Sequence, residues 1–143
     1  MEQRYLRIMF AVFGWFPLVV LAQIQLITLD EALRPDGQFA HTRAITRGPS
    51  IQFSSPREVE AAGFLFKVAV EAKGGATIDN KSLRVEYLKE PVIDVTQRFS
   101  SHFRENRLEI PQAKVPPGRH LLRLTVKDSE GRQGSQIIQI QAH

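Results

Sequence analysis

The sequence predicts an all-β protein of two packed sheets, and three of its features carry that prediction. In Arg119–Lys127, His120, Leu122, Leu124 and Val126 alternate with Arg119, Leu121, Arg123, Thr125 and Lys127. A period of two is that of a strand with one buried side. Phe64, Phe66, Val68, Val70 and Ala72 repeat the pattern earlier, with Leu65, Lys67, Ala69 and Glu71 between them. After Lys127, the turn residues Asp128-Ser129-Glu130-Gly131 break the alternation and Ile138 and Ile140 resume it, as in two strands joined by a tight connection. Such a pair is unstable alone in water and needs further strands over its apolar side.

The 143 residues suffice for one domain. Arg4 and Arg7 precede an apolar run from Ile8 to Ala22, and Val20 and Ala22 have the spacing a signal peptidase accepts. Residues 1–22 are therefore expected to be a cleaved signal peptide. An uncleaved anchor is the competing reading, because Ile24, Leu26, Ile27 and Leu29 could lengthen the run to ~20 residues. Gln23, Gln25 and Pro17 interrupt it. Gln23 stands where a lipid-anchored chain would need cysteine. Without the leader the chain has no Met, Trp or Cys and holds 17 basic residues (19 less Arg4 and Arg7) against 14 acidic ones (15 less Glu2). That mild positive balance does not argue for a nucleic-acid partner. With no cysteine to form a disulfide, the core alone must hold the fold.

Residues 23–48 show no sustained periodicity and are expected to form a largely irregular tether. Within them, Thr28-x-x-Glu31 matches a capping box, Ile27 and Ala32 are spaced for a hydrophobic staple, and Pro35-Asp36-Gly37 stops the turn of helix. A minority reading makes the segment an arm that docks on a partner or folds back over a sheet edge. The sandwich is expected over residues 49–143. Ile51 and Phe53 point inward from a first strand that Pro49 suits to an edge. Gly74-Gly75 turns the chain into Leu83–Leu88, where Leu83, Val85 and Tyr87 point inward. Val92-Ile93 makes a short strand, and Asp94-x-x-Gln97 can cap one helical turn whose Phe99 and Phe103 share a face. Leu108 and Ile110 form another inward pair, which Pro111 marks as an edge strand or a strand end. Pro116-Pro117-Gly118 turns the chain into the last hairpin.

From Gly48 onward the run RGPSIQFSSP, FLFKVAV, GGATIDNKSLRVEYL and VPPGRHLLRLTVKDSEGR resembles single bacterial immunoglobulin-like domains of the cadherin-like type found in exported proteins. The resemblance covers about two thirds of the chain and implies a Greek-key sandwich of about seven strands. It implies little about function, since such sandwiches host unrelated roles. The Cys…Trp…Cys framework is missing, and His120 stands where many such domains place the tyrosine of a corner motif. A buried imidazole hydrogen-bonded to a turn backbone would be its equivalent.

The residues speak against several chemistries. The SSP opening and the size also resemble copper carriers of the CopC-like kind, so a small periplasmic metal-carrier or ligand-binding protein is the alternative function. A soft copper site needs sulfur, which the chain lacks after the leader, and His41, His102, His120 and His143 have no close spacing. Asp128 and Glu130 offer calcium two carboxylates where it needs six or more oxygens. Ser100-Ser101-His102 has no third group to orient the imidazole. No glycine-rich phosphate loop or nucleophile elbow occurs, and Tyr87, the only aromatic left that could stack on sugar through a polar-tipped ring, points inward. No catalytic residue, cofactor or metal site is expected.

What the sequence favours is an exported, non-catalytic interaction or accessory module, periplasmic or extracellular, that binds another protein or a cell-envelope component and has no membrane span once the leader is cleaved. If Leu83–Leu88, Arg119–Lys127 and Ser135–Gln141 share a sheet, their outward residues make one surface: Arg84, Glu86, Leu88, Leu121, Arg123, Thr125, Lys127, Ile137, Gln139 and Gln141. Leu88, Leu121 and Ile137 would be apolar inside a charged rim, the composition of an interface patch.

Overall fold

The computed structural model describes residues 22–39 and 47–143. The leader as far as residue 21 lies outside the described residues, as do His41 and Arg43. In chain order the elements are β1 (Ile24–Gln25), α1 (Leu29–Ala32), β2 (Ser50–Phe53), β3 (Glu58–Val59), β4 (Phe64–Glu71) and β5 (Ile78–Tyr87). They continue with β6 (Ile93–Asp94), α2 (Thr96–Ser100), β7 (Phe103–Arg104), β8 (Arg107–Lys114), β9 (Gly118–Asp128) and β10 (Gln133–Ala142). One sheet has the order β1-β8-β4-β2, with β7 hairpinned onto β8. The other runs β3-β10-β9-β5-β6. The protein is an all-β sandwich.

Alternation decided which side chains went inside. Phe66, Val68 and Val70 of β4, with Leu108 and Ile110 of β8, join Val85 and Tyr87 of β5, Leu122, Leu124 and Val126 of β9 and Ile138 and Ile140 of β10 in one contiguous core. Phe66 is its aromatic hub, packing on Phe53 at 5.5 Å between ring centres and edge-on against Phe99 at 5.4 Å. At one corner the sheets meet backbone to backbone. A Cβ on Gly134 would overlap the Pro49 carbonyl, and one on Gly48 would overlap the Gln133 carbonyl, so β2 approaches β10 only because both positions lack a side chain.

Pro111 neither ends β8 nor marks an edge. The strand pairs with β4 on one side and β1 on the other, and Pro111 falls where the β4–β8 register shifts between Phe64 and Phe66, the kind of bulge that tolerates a missing N–H. The helical turn forms, but Asp94 and Gln97 do not make its capping box. Val95 holds the N-cap position, and the Asp94 carboxylate accepts from the Thr96 amide at 2.9 Å. Phe99 and Phe103 both reach the core from different elements, one from α2 and the other from β7. The β7–β8 hairpin turns through Glu105 and Asn106, both at positive φ, as a two-residue turn between twisted strands requires.

The segment expected to be a tether is part of the fold for as far as it is described up to Phe39. Ile24 and Gln25 pair in parallel with Ala113 and Lys114, and the Leu26 amide donates to the Lys114 carbonyl at 2.9 Å. Leu26 and Ile27 are fully buried, since two adjacent large apolar residues are more stable against the core than in water. The capping box is present as expected. The Glu31 amide donates to Thr28 Oγ1 and the Thr28 amide to Glu31 Oε2. Ile27 belongs to the core and Ala32 packs against it. A bidentate pair of Arg98 with Glu31, both bonds 2.7 Å, ties α1 to α2, and Arg98 also donates to the Leu26 carbonyl at 2.8 Å.

Candidate interaction face

The strands expected to share a sheet do so. In register, Arg84 faces Thr125 and Thr125 faces Ser135, Glu86 faces Arg123 and Arg123 faces Ile137, and Leu121 faces Gln139. Rows of outward side chains therefore run across β5, β9 and β10 on one side of the sheet. Arg84, Lys127 and Gln139 are exposed, while Glu86, Leu121, Arg123, Thr125, Ile137 and Gln141 are half-buried. Glu86 sits between two guanidiniums, 2.8 Å from Arg123 Nε and 3.3 Å from Arg84 Nη2.

Leu88 departs from the expectation. It is 1% exposed, so it contributes no accessible surface, yet it does not belong to the contiguous core. The residues after α1 pair with the chain there. The Gly37 amide donates to the Leu88 carbonyl, the Glu90 amide donates to the Pro35 carbonyl, and Asp36 bridges to Lys89. The Phe39 ring then lies 5.8 Å from the Arg123 guanidinium, a cation–π distance. Local alternation could not reveal that the chain's own strap, Pro35–Phe39, pairs with the backbone at Leu88.

Beside the strap lies a buried polar cluster. Lys89, 5% exposed, places Nζ 2.6 Å from Asp36 Oδ1 and 5.3 Å from the centre of the Tyr87 ring. Asp36 also faces Arg119 at 3.6 Å. The hydrogen bond from Lys89 holds the Asp36 carboxyl below its usual range. His120 is buried, with Nε2 2.7 Å from the Pro116 carbonyl and Nδ1 2.9 Å from the Tyr87 hydroxyl. A carbonyl can only accept, so Nε2 carries the hydrogen and, in the neutral ring, Nδ1 accepts from the phenol. Burial pushes the His120 pKa down and the Tyr87 pKa up, which keeps both neutral. Lys89 and Asp36 escaped the sequence reasoning. The only local signal was Pro35-Asp36-Gly37, which reads equally well as a helix stop.

The remaining candidates are engaged structurally. Asp128 Oδ1 accepts from the amides of Glu130 and Arg132, and Oδ2 lies 2.8 Å from Arg132 Nε. Burial opposes the Asp128 charge, but those bonds, led by the one from Arg132, outweigh it and hold the carboxyl below its usual range. Ser100 Oγ is directed at the Gln97 carbonyl at 3.5 Å. Among the described residues no group of three His, Asp or Glu side chains could hold a metal ion, and no helix is long and apolar enough to cross a membrane.

The fold and the face define a two-sheet sandwich with a partly covered, mainly cationic outer side. Compared with protein-family models and with curated proteins, the chain matches none.

Proposed function

We propose that this chain is an exported, non-catalytic interaction or accessory module on an immunoglobulin-like Greek-key sandwich, and that it binds another protein or a cell-envelope component through the outer side of β5, β9 and β10. The observation that carries the reading is that face itself, where Leu121 and Ile137 stand half-buried among Arg84, Arg123, Lys127 and Gln139. Apolar residues ringed by charge favour association with a surface that covers them. The strand orders β2-β4-β8 and β3-β10-β9-β5-β6 support the immunoglobulin-like part, because they correspond to strands A, B and E on one sheet and G, F and C on the other. His120 adds to it. Near the start of the F-like strand it bonds a carbonyl four residues upstream, the role of the corner tyrosine. Export rests on Arg4, Arg7 and the apolar run Ile8–Ala22, and it places the protein in the periplasm or outside the cell.

The test uses the tagged full chain, purified as the cell processes it, to capture partners from envelope extract alongside its Leu121→Glu variant. Capture by the wild type and its loss in a variant with an unchanged circular dichroism spectrum are expected. Equal capture by both proteins would sink this placement of the interface, and a leader found on the purified protein would sink the cleavage.

A further inference from the structure

We propose that the sheet edge at Leu88, Lys89 and Glu90, with the adjoining Arg119 and Arg123 of β9, is a docking site for an extended peptide segment of a partner protein bearing a carboxylate and, three residues on, an aromatic ring, and that Pro35–Phe39 occupies this site in the free protein. The proposal rests on the interaction reading above and names the partner's chemistry.

The strap shows how such a segment is held. Its main chain bonds at both ends of a short run, Gly37 N–H to the Leu88 carbonyl and Glu90 N–H to the Pro35 carbonyl, the pattern by which an added strand gains sequence-independent affinity. Its side chains supply the specificity. The Asp36 carboxylate takes Lys89 and Arg119, and the Phe39 ring takes Arg123. Gly37 lets the strap lie close, since a Cβ there would run into the Phe39 ring and come within 3.2 Å of the Lys89 carbonyl.

The same contacts suit an exchangeable occupant. None of residues 35–39 belongs to the contiguous core or packs against it, so lifting the strap leaves the two-sheet packing intact. Asp36 is 54% exposed, so a carboxylate arriving from solvent can reach the same ammonium, while buried Lys89 disfavours being left without a partner. Lifting the strap leaves Lys89 and Arg119 without the carboxylate they share, whereas Arg84 and Arg123 keep Glu86. Charge complementarity at that point therefore selects a segment bearing a carboxylate. A tethered ligand competes at high effective concentration, so the partner must match the strap's chemistry and improve on it.

The probe is a synthetic peptide of the strap's own sequence, Arg34–Phe39, titrated into the isotope-labelled full chain and into its Asp36→Ala/Phe39→Ala variant. Amide shifts report occupancy at Leu88, Lys89, Leu121 and Arg123, and the unmoved amides of Val68 and Leu124 report an intact fold. The variant should bind at least tenfold more tightly than the wild type, and a peptide with Asn for Asp36 and Ala for Phe39 should lose that gain. Equal responses of the two proteins, or shifts elsewhere, would overturn the proposal. Should the double variant not fold, Asp36→Asn/Phe39→Leu replaces it and is read the same way. Partner capture that depends on Leu121 but is indifferent to the strap variants would leave the interaction reading standing and overturn this one.

Discussion

Tyr87 and His120, on neighbouring strands of one sheet, meet with the phenol oxygen 2.9 Å from Nδ1 while the far side of the imidazole, Nε2, donates to Pro116. The ring thus links a core strand to the turn that starts β9. Truncation by His120→Ala would strand the Tyr87 hydroxyl and the Pro116 carbonyl and open a cavity, a loss of roughly 3 kcal/mol. Tyr87→Phe keeps the ring and costs about 1 kcal/mol. Urea unfolding of the two variants checks the order, and a milder effect for His120→Ala would contradict the network.

The same imidazole makes stability depend on pH. Burial, aided by Lys89, lowers its pKa in the folded state, against the Pro116 bond and the Asp36 charge, which act to raise it. Below the ordinary histidine value of about 6.5 the unfolded chain takes up a proton that the folded chain resists. This contribution is fully present above that value and is lost as pH falls through the folded pKa. Unfolding free energies between pH 5 and about 7.5 should therefore rise with pH in the wild type and less steeply in His120→Gln; parallel profiles would refute the assignment.

Arg98 holds the Glu31 carboxyl far down, to about 2. The unfolded chain protonates first on acidification, so this stabilisation is present above the ordinary glutamate value of about 4.5 and disappears as pH falls towards 2. Glu31→Gln should cost about 1–2 kcal/mol at neutral pH and progressively less in acid. A constant difference across that range would show that the pair is not the cause.

Gly134 is expected to tolerate no side chain. The carbonyl it would strike belongs to the Pro49 backbone, which cannot swing aside like a flexible side chain. Gly134→Ala should destabilise by about 1–3 kcal/mol, measured by thermal unfolding. A neutral result would mean that β2 and β10 can separate at this corner without loss.

Calcium should leave the melting temperature unchanged at millimolar concentration. A cation at Asp128 would have to displace Arg132 and two backbone amides from a carboxylate they already engage, while Glu130 Oε2 is drawn to Arg132 as well at 2.6 Å. An upward shift of several degrees would show that the loop rearranges to bind the ion.

By itself the sequence determined which side of each long strand is greasy. The inward positions of β4, β5, β9 and β10, the Thr28–Glu31 cap and the glycine and proline turns were all legible, because a strand's period of two and a helix's first turn involve residues close in the chain. The outward partners on β5, β9 and β10 were legible for the same reason once a shared sheet was assumed. Only the tertiary structure decided what lies over each side. Leu88 shows why, since alternation states the direction of a side chain, whereas burial depends on what distant parts of the chain bring alongside, here a segment some fifty residues earlier that pairs with its backbone. Leu26 and Ile27 likewise entered the core through pairing of β1 with β8, and Pro111 was accommodated by a bulge that register alone creates. Such contacts depend on shape complementarity between distant segments, which no local period encodes.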